Sequence, residues 1–323
     1  MECNATIALD TQKPLTGFQL KIIALACMIC DHIGAALLSP PEIWYDGTRA
    51  VGRIAFPIFA FLIAEGCRYT RSRERYLLRL GIFALISEIP FDLAFDTPPV
   101  QVSFLSFTNV FYTFFLAVAC VHIYETLRRQ RRSVQIMGVA AFGLAGAVIF
   151  GVGQFVTGSG KVACVELAGY LAGMLAACVW LSRRAERTEA APQPDRLACA
   201  LSLLPALPVL LLAELIGCDY GGAGVAIILG VYLVKKRPAA LAVIAAGILY
   251  LYKNTIRYHM FHWDAVGFHL NLHTLIPVCF ALLSLILLCF YSGKRGRDVK
   301  WAFYWAYPAH IAVLALLRHF LIA

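Results

Sequence analysis

An aspartate followed by a histidine inside a long apolar stretch is the feature of this sequence that most suggests chemistry. Asp31 and His32 lie in the run KIIALACMICDHIGAALL at 21–38. A neutral imidazole can take a proton from an alcohol or amine near pH 7, and a nearby carboxylate can fix its tautomer and stabilise its cation. Sequence neighbours on a helix point about 100° apart, so Asp92 or Glu88 is an alternative to Asp31 as the carboxylate beside His32.

The composition places these residues in a membrane protein. The 323 residues are 60% hydrophobic and 15% charged, whereas soluble domains average roughly 45–50% apolar and about 25% charged residues. A helix that crosses a bilayer needs about 20 largely apolar residues, because its backbone must satisfy its own hydrogen bonds in lipid. The sequence therefore predicts an all-α, polytopic transmembrane helix bundle of about ten or eleven spans, with residues 1–323 as a single integral membrane domain.

Apolar runs of spanning length locate the individual helices. We predict spans near 17–38, 50–67, 77–95, 107–127, 134–156, 162–182, 197–217, 270–291 and 300–321. The stretches 222–234 and 238–252 are shorter than usual, and form either two short spans or one re-entrant hairpin.

The basic residues indicate how the bundle is oriented. Most of the 28 Lys and Arg residues fall in alternate loops, on the side shared with the N-terminus. Positive loops stay in the cytoplasm, so we expect residues 1–16 to be a cytoplasmic segment and 183–196 a cytoplasmic linker. The loop 253–269 is then extracytoplasmic or interfacial. The net charge of +9 is accounted for by this pattern, and we predict no nucleic-acid partner.

Several polar residues within the spans are predicted to lie at a similar depth. A charge at mid-bilayer costs about 2.5–3.5 kcal/mol on insertion scales, so each requires a partner, a cavity or a function. The alternating helix directions place nine such residues toward the outer half of the membrane: Asp31, His32, Arg53, Glu88, Asp92, Asn109, Glu214, Asp219 and His310. One polar cavity would account for them, and so would buried structural ion pairs such as Arg53 with Asp92.

Long motifs in the same regions resemble the TraX family of bacterial membrane proteins. They are the 21–38 run, RAVGRIAFPIFAFLIAEGCRYTRSRERYLLRLGIFALISEIPFDLAF at 49–95, NVFYT at 109–113, AELIGCDYGGAGV at 213–225 and YPAH at 307–310. The resemblance implies a multi-pass protein of the bacterial inner membrane that is linked to acetylation, since the founding TraX protein is associated with N-acetylation of conjugative pilin. It also implies a relation to transmembrane acyltransferases, which use cytosolic acetyl-CoA and an intramembrane histidine. Lys21 and His32 match the basic residue and histidine of that superfamily, with Lys in place of the more frequent Arg.

The residues and the resemblance together predict an acyltransferase. It would move an acetyl group from cytosolic acetyl-CoA to an amine or hydroxyl reached from the membrane or the outer side, on a protein N-terminus, a glycan or a lipid-linked molecule. His32 is the predicted general base, and Arg53 or Asn109 the predicted stabiliser of the oxyanion. The other catalytic candidates are Asp31, Asp92 and His310.

Two further groups of residues are candidates for binding the donor and the acceptor. Arginine pairs well with phosphate oxygens, and the donor candidates are Lys21, Arg68, Arg71, Arg75 and Arg79. The arginines also fit an ordinary positive-inside signal. The acceptor candidates are Glu88, Glu214, Asp219 and Tyr220.

Other functions remain open at this point. A proton-coupled transporter also uses intramembrane Asp, Glu and His residues and short helices interrupted by glycine. A noncatalytic assembly factor for a secreted protein is a third possibility, and it would tolerate loss of His32. The histidine-rich loop has spacings compatible with zinc at His259, His262, Asp264, His269 and His273. We predict no metal site there, because surface histidines in an aromatic loop are the simpler interpretation.

Overall fold

The computed structural model describes residues 13–40, 43–95, 108–130, 134–145, 196–256, 261–264, 267–270 and 275–322. The predicted span 162–182 lies outside these residues, as do residues 1–12 of the predicted N-terminal segment and nearly all of the predicted linker 183–196.

The described chain is almost entirely helical, which confirms the predicted fold class. The helices are α1 (Gly17–Leu37), α2 (Ile43–Gly52), α3 (Ala55–Tyr69), α4 (Arg73–Phe95), α5 (Val110–Leu127), α6 (Val134–Ala145), α7 (Arg196–Leu203), α8 (Ala206–Leu215), α9 (Gly221–Leu233), α10 (Arg237–Leu251), α11 (Ile276–Cys289) and α12 (Lys300–Ile322). Among the described residues, three helical segments are long and apolar enough to cross a membrane: Gly17–Leu37, Ile43–Tyr69 and Val110–Leu127. The side of the membrane on which the N-terminus lies stays a prediction.

Prolines divide two of the predicted spans. Pro57 has no N–H to donate to the carbonyl of Arg53, and the chain turns between α2 and α3 at this point. Pro205 and Pro208 likewise remove two donors where α7 ends and α8 begins. The predicted span 50–67 thus lies within the spanning segment Ile43–Tyr69 but contains a turn at residues 53–54, and the predicted span 197–217 is divided into α7 and α8.

Helix α5 is the centre of the bundle. It packs against α3, α4, α7, α8 and α9, and nearly all of its side chains are buried. A helix that is apolar on every face is typical of a position surrounded by other helices. Helix α4, by contrast, exposes large apolar side chains along one face, at Leu78, Ile82, Leu85, Ile89 and Leu93. This face is suited to contact with lipid.

Basic segments from distant parts of the chain meet at one end of the bundle, which we call the basic end. It is formed by residues 13–16, 68–75, 125–130, 234–237 and 289–300. The N–H of Gly17 donates to the carbonyl of Lys294 at 2.8 Å. Arg237 Nη1 donates to the carbonyl of Tyr291 at 2.6 Å. The fold thus gathers the basic loops as a positive-inside pattern requires.

A short β-hairpin lies within the region predicted as a loop and the start of a helix. Strands β1 (Phe261–Asp264) and β2 (Gly267–Leu270) pair antiparallel, with His262 opposite His269 in the register. Helix α11 begins only at Ile276. The predicted helix start at residue 270 was wrong because that residue pairs in the hairpin. In the described parts of the chain there is no group of three or more His, Cys, Asp or Glu residues that could hold a metal ion.

Candidate functional site

Two histidines from opposite ends of the sequence form a hydrogen-bonded pair. His32 on α1 and His310 on α12 approach with 2.7 Å between His32 Nδ1 and His310 Nε2. Their rings are nearly parallel, at 8°, with centroids 5.0 Å apart. Phe95 and Tyr307 pack against the His32 ring at centroid distances of 5.2 and 5.9 Å. The sequence singled out both histidines but did not indicate that they are partners.

The second nitrogen of His310 determines the tautomers of the pair. His310 Nδ1 lies 2.7 Å from the carbonyl oxygen of Ala306, which can only accept, so Nδ1 carries the hydrogen. In the neutral ring Nε2 is then the acceptor, and His32 Nδ1 must donate to it. A neutral His32 therefore keeps its lone pair on Nε2, where it can accept a proton from another group.

Asp31 is held by two arginines. Arg49 Nη1 and Arg53 Nη2 donate to its two carboxylate oxygens at 2.8 and 3.0 Å, and Arg53 Nε donates to the carbonyl of Arg49 at 3.0 Å. Gly52 allows this approach, since a Cβ there would lie 2.2 Å from the Asp31 side chain. The partner of His32 is thus His310 rather than the predicted carboxylate. Arg49 was missed, although its spacing of four from Arg53 on one helix was a usable signal.

Glu88 and Asn109 join α4 to the start of α5. The Asn109 side chain accepts from the N–H of Phe111 at 3.0 Å and so caps α5. Its Nδ2 donates both to Glu88 and, at 2.9 Å, to the carbonyl of Ala84. Both amide hydrogens are therefore used, which leaves none for a developing oxyanion. Asp92 is 2% exposed, one turn further along α4.

Asp219 and Tyr220 are brought to the same end of α5. The N–H of Asp219 donates to the carbonyl of Thr108 at 3.0 Å. Tyr220 has a φ of +66°, and its ring stacks on Phe56 with centroids 3.7 Å apart. A positive φ is uncommon for a residue with a bulky side chain, so the stacking and the backbone bonds together hold Tyr220 in this conformation.

Glu214 caps a helix. Its carboxylate accepts from the N–H of Gly222 at 2.9 Å, in the first turn of α9. Gly221 has a φ of +53°, and a Cβ there would lie 2.8 Å from the Glu214 carboxylate. A carboxylate at a helix N-terminus satisfies free N–H groups and complements the helix dipole. This contact explains the position of the Glu214 carboxylate without a role in binding the acetyl acceptor.

Arg68, a predicted donor-binding residue, is engaged inside the protein. Its Nη2 donates to the carbonyls of Val231, Tyr232 and Val234 at 2.5, 3.1 and 2.6 Å, and Nη1 pairs with Glu65. These carbonyls end α9, where a cation is favoured. Arg68 therefore acts as a helix cap.

The other donor candidates differ in availability. Arg71 and Arg75 are exposed at the basic end. Arg79 lies over the rings of Tyr76 and Tyr304, at 5.9 and 6.0 Å from their centroids. The Lys21 ammonium is 5.5 Å from the centroid of Phe303. Aromatic faces attract cations at such distances.

Comparison with known proteins bears on this arrangement. Residues 16–158 match the family model described as TraX protein. Over 141 residues the chain is 33% identical to "Probable fimbrial assembly protein FimC, serogroup H1" of Dichelobacter nodosus, an alignment that covers 42% of this chain and 55% of that protein. The chain thus spans little more than half the length of this relative. No solved structure matches. The matched region includes Asp31, His32, Arg49 and Arg53 but not His310, and over residues 16–158 the chain is similar to the TraX family.

Proposed function

We propose that the protein is a membrane-embedded acyltransferase that moves an acetyl group from acetyl-CoA to an amine or hydroxyl acceptor. The His32–His310 pair carries the proposal. His310 is oriented by the carbonyl of Ala306 and accepts from His32 Nδ1. The basic lone pair of His32 is thereby kept on Nε2, the arrangement that a general base needs.

The proposed transfer uses this lone pair in both of its proton steps. His32 Nε2 takes the proton of the acceptor nitrogen or oxygen as that atom attacks the thioester carbonyl. A C–N or C–O bond forms, and the C–S bond to coenzyme A breaks. His32 then returns the proton to the departing sulfur, which leaves as the free thiol. His310 stabilises the transient His32 cation, because the Nε2 lone pair of His310 accepts the hydrogen bond from His32 Nδ1–H.

The two arginines beside Asp31 provide positive charge near the base. Arg49 and Arg53 share a single carboxylate, and their side chains are 32% and 20% exposed. Guanidinium N–H groups aimed at a developing oxyanion lower the barrier to acyl transfer. Both hydrogens of the Asn109 amide are used by Glu88 and Ala84, so Arg53 is the better of the two predicted oxyanion stabilisers. Arg49, which pairs with the same carboxylate, is a second candidate for this role.

We further propose a pilus or fimbrial protein as the acceptor and the bacterial inner membrane as the location. The supporting observation is that the D. nodosus relative is named as a fimbrial assembly protein. An amine at a protein N-terminus is an acceptor that His32 could deprotonate.

Release of free CoA thiol from acetyl-CoA by the purified protein in nanodiscs tests the proposal. Wild type should release thiol in an acceptor-dependent or slow hydrolytic reaction, and His32→Gln should not. His319→Gln is the matched control, because His319 is exposed near the end of α12. Equal thiol release by wild type and His32→Gln would remove His32 from the mechanism.

A proton-coupled transporter is the second candidate, favoured by the buried carboxylates of α4. Glu88 is fully buried and Asp92 is 2% exposed, and buried carboxylates form proton relays in transporters. Proton uptake into proteoliposomes, driven by a solute and lost in Asp92→Asn, would support it. Acetyl-CoA turnover without such uptake would exclude it.

A further inference from the structure

Three arginines surround one buried carboxylate at the basic end. Glu125, in the last turn of α5, has a side chain that is 5% exposed. Its Oε2 lies 2.9 Å from Arg128, 3.2 Å from Arg129 and 3.8 Å from Arg73 at the start of α4. The three guanidinium groups therefore converge on a single oxygen atom.

One carboxylate leaves this cluster with an excess of positive charge. The three arginines carry two more charges than Glu125 neutralises. The nearby Glu65 already pairs with Arg68, and Glu74 in the first turn of α4 is exposed. Like charges held this close repel one another, so an anion that binds between them is stabilised.

The arginines also have donors to offer. Arg73 Nη2, at 3.8 Å from Glu125, is an ion-pair contact rather than a hydrogen bond. The Arg129 side chain is 63% exposed. Arg128 Nε is buried and has no hydrogen-bond partner among the described residues. Guanidinium groups bind phosphate with paired N–H donors.

We propose that Arg73, Arg128 and Arg129 form a phosphate-binding site, and that its ligand is the phosphorylated nucleotide end of the acyl-CoA donor. The choice of ligand rests on the proposed function. Arg68 caps α9 and is not available to the acyl donor. We therefore place the donor phosphates at this cluster, which lies at the same end as the exposed Arg71 and Arg75, where cytosolic acetyl-CoA would enter.

Binding of 3′,5′-ADP, which carries the 3′-phosphate and the inner 5′-phosphate of CoA but no pantetheine or acyl group, tests the site. Calorimetry in phosphatidylcholine nanodiscs should show about 10- to 150-fold weaker binding for each of Arg73→Gln and Arg129→Gln, since a charged hydrogen bond contributes about 1.5–3 kcal/mol. The control Lys235→Gln/Lys236→Gln removes two exposed charges from the same end, and its binding should match wild type.

A second arm separates a nucleotide from a lipid headgroup. If phosphatidylglycerol nanodiscs raise the Tm of wild type but not of Arg129→Gln, while 3′,5′-ADP does not bind, the site holds lipid phosphate. The phosphate site would be refuted if 3′,5′-ADP binding and the Tm change in phosphatidylglycerol nanodiscs are the same in wild type, the arginine variants and the lysine control. Nucleotide binding through these arginines without any thiol release would refute the acyltransferase and leave the phosphate site standing.

Discussion

Replacing His310 is the sharpest test of how the two histidines work together. In His310→Phe an aromatic ring remains beside His32, but His32 Nδ1–H loses its acceptor. The neutral ring is then free to place its hydrogen on Nε2 and cease to be a base at that atom. His310→Gln keeps a side-chain carbonyl that can accept from His32 Nδ1–H.

The size of the effect follows from the hydrogen bond. A buried donor left without a partner costs about 1–3 kcal/mol. If that energy maintains the productive tautomer, kcat should fall about 5- to 150-fold in His310→Phe. His310→Gln should recover a large part of the loss. KM for acetyl-CoA should be unchanged in both variants, because His310 lies on α12 away from the basic end.

Steady-state release of CoA thiol in nanodiscs measures both constants, and thermal unfolding checks that each variant is folded. A folded His310→Phe with the kcat of wild type would refute the tautomer argument. The same is true if His310→Gln is folded but no more active than His310→Phe.

Three further predictions concern residues that the structure assigns to stability. Arg68→Gln should lower the free energy of unfolding by about 1–3 kcal/mol without changing KM for acetyl-CoA, and a raised KM would return Arg68 to the donor site. Asp31→Asn should lower the free energy of unfolding, measured at equilibrium in detergent, by about 3 kcal/mol, since it leaves two arginines without their carboxylate. The control Asp298→Asn removes an exposed carboxylate and should lower it by less than about 1 kcal/mol. Equal decreases in the two variants would contradict this. Gly222→Ala should lower the free energy of unfolding by about 1–3 kcal/mol, because the added Cβ would lie 2.7 Å from the carbonyl oxygen of Leu210. An unchanged Tm would show that α8 and α9 can separate there.

Much of the helical architecture follows from local properties of the sequence. The ends of α1 and α5 agree closely with the apolar runs, because a spanning helix must be apolar along its length and each has a local cap. Thr16 caps α1 with Gln19, and Asn109 caps α5. The breaks at Arg53 and around Pro205 came from missing proline donors, a local cause that an apolar run conceals.

Apolar length and charge spacing are properties of single segments, and they are enough to predict a helical membrane protein with polar residues inside its spans. Which of those polar residues meet depends on tertiary packing. His32 and His310 are 278 residues apart, and Arg68 reaches carbonyls more than 160 residues away. Whether a buried arginine caps a helix or remains able to bind phosphate depends on which backbone groups packing brings to it, and spacing along the chain does not specify those contacts.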